Sequence, residues 1–273
     1  MQVLGVVGPG ALALCERVAP HLDGRVALVE QQPGEFGQSQ ADVSVRSSFQ
    51  GRPDGTDAAY EISGDGVWAA AGEGRSLEDV LDDLAPQYDH ALLTGAPDTR
   101  FPTVALGGEE AENVAIEAET VDDVDVEAVI DALADAEPHV TLDTLVEQVK
   151  ASPRAGRAGA IATFTGRVRA KDDEEDPETL RLTFEKYEGV AEDRMRTIES
   201  ELMEREGVEE VVLFHRTGAL ETGEDIVFVV VLAGHREEAF ETVSDGINRL
   251  KDEVPIFKRE TTVEEDFWVH DRP

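Results

Sequence analysis

The chain has 273 residues, which is enough for two domains that each bury a core, and 60 acidic against 24 basic residues give a formal net charge of −36. Such an acid surplus is a known device of proteins that work in concentrated salt. It argues against nucleic acid or an anionic membrane as a partner, because both require a basic footprint on the protein.

The single cysteine, Cys15, excludes an intramolecular disulfide and a cysteine-rich metal site, and it is most simply a small core residue. The first ten residues lack the basic flank and apolar core of a signal peptide, and no apolar run approaches the roughly 18 residues of a membrane span. We therefore expect a soluble, cytoplasmic protein, and the sequence suggests neither a metal site nor a bound cofactor.

The first half has the pattern of an α/β domain with a parallel sheet. Residues 2–7 predict a buried strand, "GPG" a turn, 11–22 a helix and 25–30 a second strand, which is a βαβ opening. The sheet is predicted to continue through further apolar runs, and an amphipathic helix lies between the first two strands and these runs. The strands are expected at 90–95 and 102–108, and the helix at 76–85.

Residues 108–138 are densely acidic but keep apolar residues at helical spacing, at Val126, Val129, Ile130 and Leu133. This spacing predicts a strand and a last helix, with a domain boundary near Pro138. The alternative is a disordered acidic linker. The predicted domains are therefore 1–137 and 138–273.

The second half predicts an α+β domain with a mixed or antiparallel sheet. Strands are expected at 159–169, 180–187, 211–216 and 226–233, and a helix at 190–206. A final helix has apolar residues spaced by 3, 4, 3 and 4, which is a clear amphipathic pattern. These residues are Phe240, Val243, Ile247, Leu250 and Val254.

Two of only five lysines in the chain, Lys251 and Lys258, flank Pro255. Because the residue before a proline is pushed away from the helical region, the helix should end near Val254, with Lys251 in its last turn and Lys258 on an extended segment. If the chain folds back at the proline, both amines can face one pocket. The alternative is that Lys251 complements the helix C-terminus and Lys258 is a solvated surface residue.

His-Arg pairs at 215–216 and 235–236 close one strand and open the last helix. An arginine fork and a helix N-terminus both suit an anionic, phosphorylated ligand, although strand-end ion pairs and helix caps use the same residues. Arg167 and Arg169 alternate on a predicted strand and are ambiguous alone.

Six blocks in order resemble the MoaE family, the catalytic large subunit of molybdopterin synthase, over roughly residues 140–270. They are "GAIATFTGRVR", "FEKYEGVAE", "HRTGALETGE", "AGHREEAFE", "LKDEVPIFKRE" and "FWVH". The resemblance implies insertion of sulfur into cyclic pyranopterin monophosphate, to make the dithiolene of molybdopterin. The sulfur would come from the C-terminal thiocarboxylate of a small ubiquitin-like, MoaD-like subunit. It also implies a homodimer of the large subunit with a small subunit at each end.

The resemblance further implies roles for individual residues. Lys251 and Lys258 correspond to the catalytic lysines, so that one can act in proton transfer while the other holds phosphate or the thiocarboxylate. The substrate-binding residues that it implies are Phe164, Arg169, His235 and Arg236.

The N-terminal "GVVGPGAL" has the outline of a nucleotide-binding Walker A loop, but Ala11 and Leu12 stand at the lysine and hydroxyl positions. This strand, loop and helix resemble the MobB family of GTP-binding accessory proteins. Without the lysine and the hydroxyl, nucleotide hydrolysis loses its main electrostatic contributors. We expect a degenerate, non-hydrolysing domain that serves as a scaffold or a docking surface.

Two other functions remain open on the sequence alone. The chain could be a non-catalytic adaptor that binds the pterin or the small subunit, although an adaptor could have exchanged both lysines for arginine as the rest of the chain has done. It could also be a nucleotide-dependent regulator, which Ala11 and Leu12 disfavour.

Overall fold

The computed structural model describes residues 1–32, 55–171, 173, 176–187, 189–263 and 266–269. The chain divides into two compact units, Met1–Thr141 and Leu142–Pro273. The first unit extends a few residues past the expected boundary because His139 pairs with the start of the chain. The backbone N–H of His139 donates to the carbonyl of Met1 at 2.8 Å, and the amino group of Met1 donates to the carbonyl of His139 at 3.3 Å.

The first unit combines strands with α-helices along the chain. In chain order its elements are β1 (Gln2–Val7), α1 (Ala11–Val18), β2 (Val26–Glu30), β3 (Ala58–Ile62), β4 (Trp68–Gly72), α2 (Leu77–Leu84), β5 (His90–Thr94), β6 (Thr103–Leu106), β7 (Val114–Ala118) and α3 (Val126–Ala134). Five strands form a parallel sheet in the order β2-β5-β1-β6-β7, while β3 and β4 form a separate antiparallel hairpin. The predicted α/β class is confirmed.

Both faces of the parallel sheet are covered, as its continuous apolar strands require. On one face, Leu4 of β1 joins Leu14 of α1 and Leu133 of α3 in one apolar cluster. On the other face, Val3 joins Leu81 of α2. The helix predicted over 11–22 is shorter, because α1 ends at Val18 and a 3-10 turn containing Pro20 follows.

The acidic segment is folded, which confirms the predicted strand and helix and rules out the linker alternative for it. It forms β7 and α3, and Val129 and Leu133 are buried. Asp125 caps α3 through Oδ1, which accepts from the N–H of Glu127 at 3.0 Å.

The second unit consists of antiparallel sheets and three helices within the described residues. In chain order its elements are α4 (Leu142–Lys150), β8 (Ala160–Arg167), β9 (Thr179–Lys186), α5 (Val190–Leu202), β10 (Val208–His215), β11 (Gly218–Glu221), β12 (Asp225–Ala233), α6 (Arg236–Glu253), β13 (Ile256–Thr262) and β14 (Asp266–Val269). One sheet has the order β10-β12-β8 and the other β11-β9-β13-β14. The predicted α+β class is confirmed.

The core of this unit joins the sheets to α5 and α6. Ile198, Val229 and Ile247 share one buried cluster with Phe184 of the second sheet. β12 is the central strand of the first sheet and is buried along most of its length, as its uninterrupted apolar run predicts. Among the described residues, no helix is both long and apolar enough to cross a membrane.

The C-terminal end of helix α6 was predicted correctly. It runs to Glu253, and Val254 before the proline has an extended conformation, with φ −90° and ψ 125°. Four of the five predicted apolar positions are buried. The prediction is wrong for Phe240, which is 66% exposed. Ala239 turns to the core instead, and the next residue is rotated by about 100° away from it.

Candidate functional site

A cavity of about 600 Å³ lies in the second unit, lined by both sheets and the end of α6. Its walls carry cationic, aromatic and small side chains. They are Phe164, Thr165, Gly166, Arg167, Arg169, Thr179, Leu182, Phe184, His215, Ile226, Val227, Lys251, Lys258 and Glu260.

The two lysines that flank Pro255 both line this cavity. Lys251 lies in the last turn of α6 and Lys258 on β13, so the chain folds back after the proline as expected. The Nζ of Lys258 lies 3.8 Å from Oε2 of Glu260, and Oε1 of the same carboxylate accepts from the hydroxyl of Thr179 at 2.5 Å. Glu260 is therefore fixed by β9 and gives Lys258 a nearby carboxylate.

Arg169 and Phe164 also line the cavity, together with Arg167. Arg167 is engaged by its own surroundings: its Nε donates to the carbonyl of Gly223 at 3.0 Å and lies 3.2 Å from Oδ1 of Asp225. Phe164 is partly buried against the core of the unit. Four of the six site residues named from the sequence are thus brought together.

His235 and Arg236 are not on the cavity wall. His235 is the N-cap of α6 and Arg236 its first residue, and both are exposed. At about 1.5 Å of rise per residue, the 15 residues from Arg236 to Lys251 span about 22 Å of helix. One copy of the chain therefore does not bring this pair to the cavity that contains Lys251.

The wall residues that were not among the predicted site residues include His215 and Glu260. Glu260 lies two positions after Lys258 on β13, and residues two apart on a strand share a face. Had β13 been predicted as a strand, this spacing would have found it. His215 was visible only as half of a His-Arg pair.

His215 is 7% exposed, and burial lowers its pKa to about 4. Its ring packs edge-to-face on Phe184 with the centroids 4.8 Å apart. The contact joins the last residue of β10 to the neighbouring sheet.

The charges of the cavity suit an anionic ligand. Of the described residues on its wall, Arg167, Arg169, Lys251 and Lys258 are cationic and only Glu260 is anionic. Asp225, which is not on the wall, pairs with Arg167, and the chain as a whole has a formal net charge of −36. A local surplus of cations inside an acidic protein attracts anions to that position.

In the first unit, three groups are close enough to hold a metal ion: the side chains of Glu78, Asp82 and His139. A cation already occupies this cluster, since the guanidinium of Arg100 donates to Nδ1 of His139 at 2.7 Å and lies 3.0 Å from Glu78. The Nε2 of His139 lies 2.8 Å from Asp82. The cluster thus has the composition of an ion-pair network that ties residue 139 to α2.

The turn after β1 contains Gly8 and Gly10, both with positive φ. A Cβ at Gly8 would lie 2.1 Å from the carbonyl oxygen of Leu106 and 3.3 Å from the Cβ of Glu109. The turn is therefore packed tightly against the residues that follow β6, one of which is acidic.

Comparisons with known proteins cover both units. The family model described as "MoaE protein" matches residues 136–253. A protein of Haloferax volcanii described as a probable molybdopterin synthase is 57% identical over 272 residues, which is 100% of both chains. The molybdopterin synthase catalytic subunit of Pyrococcus abyssi is 35% identical over 127 residues, covering 46% of this chain and 84% of its own. The crystal structure of a MobB homologue from Bacillus stearothermophilus is 19% identical with a TM-score of 0.35, covering 49% of this chain and 99% of its own.

Proposed function

This chain belongs to the MoaE family of molybdopterin synthases, enzymes of molybdenum cofactor biosynthesis, and we propose that sulfur transfer takes place in the cavity of its second unit. The donor is the C-terminal thiocarboxylate of a small ubiquitin-like, MoaD-like subunit. The acceptor is cyclic pyranopterin monophosphate, which becomes the dithiolene of molybdopterin.

The observation that carries the proposal is the convergence of Lys251, Lys258 and Arg169 on one cavity. Phosphate and thiocarboxylate are both anions, and ammonium and guanidinium groups are their usual partners in proteins. A positioned lysine can also move a proton in the transition state. We assign these tasks to the two lysines together, with Phe164 beside the heterocycle.

The proposal requires sulfur from a partner, and the chemistry of the chain supports that requirement. Its one cysteine, Cys15, is buried in the core of the first unit, and burial raises the pKa of the thiol to about 12. The thiolate is the reactive form, so this sulfur is protected from chemistry.

We also propose that the working form is a homodimer within a heterotetramer with two small subunits. The separation of His235 and Arg236 from Lys251 along α6 supports this arrangement, because a second copy can bring the pair to a cavity that its own chain cannot reach. Size measurement of the protein in high salt, with and without the small subunit, tests the stoichiometry.

The experiment mixes the full chain with cyclic pyranopterin monophosphate and the thiocarboxylated small subunit in high salt, and detects molybdopterin by mass spectrometry. We expect product from the wild type and a loss of at least about 100-fold in Lys251→Ala and Lys258→Ala. Lys150→Ala is the matched control, since Lys150 lies on α4 beside Glu147 and outside the cavity. If the complex forms without product, the chain is an adaptor that binds the pterin or the small subunit.

For the first unit we propose a degenerate, MobB-like P-loop domain that acts as a scaffold and hydrolyses no nucleotide. Ala11 and Leu12 offer neither the lysine nor the hydroxyl that phosphates and magnesium require, and Glu109 lies next to the turn at Gly8. We expect no binding of GTP with magnesium to the full chain at millimolar concentrations in calorimetry. Tight, magnesium-dependent binding would contradict the scaffold role and favour a nucleotide-dependent regulator.

A further inference from the structure

The ring of His215 has a fixed tautomer. Its Nδ1 lies 2.7 Å from the carbonyl oxygen of Arg216, and a carbonyl only accepts, so Nδ1 carries the proton. In the described part of the chain this is the only hydrogen bond that the ring makes. Since burial keeps the imidazole neutral near pH 7, Nε2 has a free lone pair.

His215 is a residue of the cavity wall, and its neutral acceptor nitrogen differs in charge from the other titratable side chains of the wall. The charged side chains around it are mostly cations, which donate hydrogen bonds and hold anions. The carboxylate of Glu260 already accepts from Thr179 and lies beside Lys258. His215 therefore offers the cavity a neutral acceptor.

The wall beside His215 is shaped for a flat ring. In the first sheet His215 pairs with Val227, and Val227 pairs with Gly166, so these three residues form one row. A Cβ at Gly166 would lie 2.6 Å from Cγ1 of Val227 and 3.4 Å from Cε1 of Phe164. The absence of a side chain at Gly166 therefore leaves open space above this row of residues. The aromatic side chains of Phe164 and Phe184 also line the cavity.

We propose that His215 is a specificity-determining residue that reads the pterin ring, with Nε2 accepting a hydrogen bond from a ring N–H while the cations hold the phosphate. The pyrimidinone ring of a reduced pterin is flat and its N–H groups are donors, which matches both the neutral acceptor and the open space above Gly166. The inference rests on the proposed function, because it takes the pterin as the ligand of this cavity. A site that recognises a donor discriminates strongly against an analogue that lacks it.

The test measures binding rather than turnover, so it does not depend on sulfur transfer. Equilibrium dialysis of the full chain is carried out with a reduced pterin monophosphate and with its ring-N-methylated analogue. We expect methylation to weaken binding to the wild type about tenfold and to change binding to His215→Phe by less than about twofold. His215→Phe keeps an aromatic ring against Phe184 but has no acceptor.

Two further variants separate recognition from structure. His215→Gln retains an acceptor near the position of Nε2, and we expect it to bind the unmethylated pterin within about threefold of the wild type. His21→Gln, at an exposed position of the first unit, is the control. Thermal unfolding of each variant checks the fold.

The outcomes also separate this inference from the proposed function. A folded His215→Phe that loses as much affinity on methylation as the wild type would overturn the role of His215, while a wild type that binds the pterin would still support the cavity as its site. Failure of the wild type to bind the pterin would remove the proposed function and this inference together. Sensitivity to methylation that disappears with His215→Phe supports the inference even if no product forms.

Discussion

The Nζ of Lys258 lies 3.8 Å from Oε2 of Glu260, on the wall of the cavity. An arginine at the same position keeps the positive charge but cannot exchange a proton, because its guanidinium stays protonated in proteins. We therefore expect Lys258→Arg to bind the pterin within about threefold of the wild type and to lose at least about 100-fold in turnover.

Steady-state kinetics with saturating small subunit measures both quantities for Lys258→Arg. Lys150→Arg, outside the cavity, should leave them unchanged. Full turnover by Lys258→Arg would mean that the residue acts only through its charge.

Glu199 gives the second unit a pH dependence that is unrelated to the cavity. It accepts from the N–H of Leu213 at 2.7 Å, and burial raises its pKa to about 7, with Glu210 adding repulsion. A carboxyl whose pKa is raised by folding binds its proton more tightly in the folded state. Its contribution to stability is complete below about pH 4.5 and is lost as the pH rises through about 7.

Glu199→Gln removes this titration while keeping an oxygen that can accept from Leu213. We expect the variant to be more stable than the wild type at pH 8 by about 1 to 2 kcal/mol, and the advantage to shrink at pH 5. Urea unfolding at both pH values in constant high salt measures the difference. An equal difference at the two pH values would show that Glu199 does not titrate in this range.

Among the elements, the strand β8 shapes the cavity through the absence of a side chain at Gly166. The added methyl of Gly166→Ala would meet Val227 at 2.6 Å, so the variant should lose about 1 to 3 kcal/mol of stability and bind the pterin at least about tenfold more weakly. Gly156→Ala is the matched control, because a Cβ there has nothing within 4 Å. Thermal unfolding and dialysis check the two effects, and normal pterin affinity in Gly166→Ala would show that the ring does not lie on this row.

Elements with a strong apolar pattern could be predicted from the sequence, and the others could not. The run of β12 and the spacing on α6 are strong because their buried faces need apolar residues at fixed intervals. The hairpin β3-β4 and the strand β13 were missed. β3 and β4 consist mainly of alanine and of exposed aromatic or aliphatic residues, and three charged residues, Lys258, Arg259 and Glu260, stand in the middle of β13. None of the three strands therefore shows the alternation of apolar and polar residues that identifies a strand.

The same limit applies to the site. Lys251 and Lys258 were predictable because they are rare in this chain and flank a proline that fixes the end of a helix. The position of His215 in the cavity wall was not predictable, because its ring packs against Phe184, which lies on a strand of the other sheet. Likewise, no local pattern separates His235 from a cavity at the far end of the same helix.

For the whole molecule, the net charge of −36 implies a strong dependence of stability on salt. Raising the ionic strength from 0.1 M to 1 M shortens the screening length from about 10 Å to about 3 Å, which weakens repulsion between carboxylates across the surface. We expect Tm to rise by at least about 5 °C between 0.1 M and 2 M KCl. Sucrose at equal osmolality is the control, and an equal rise in sucrose would exclude screening as the cause.

The register of β13 against β9 has a consequence for insertions and deletions. Lys258 pairs with Phe184 and Glu260 with Leu182, and the ladder becomes irregular only after Thr261. Because successive side chains of a strand point to opposite faces, a slip of one residue would turn Phe257 and Arg259 toward the cavity and remove both charged partners at once. Functional relatives can therefore be expected to vary in length after Thr261 and to keep a constant length between Pro255 and Glu260.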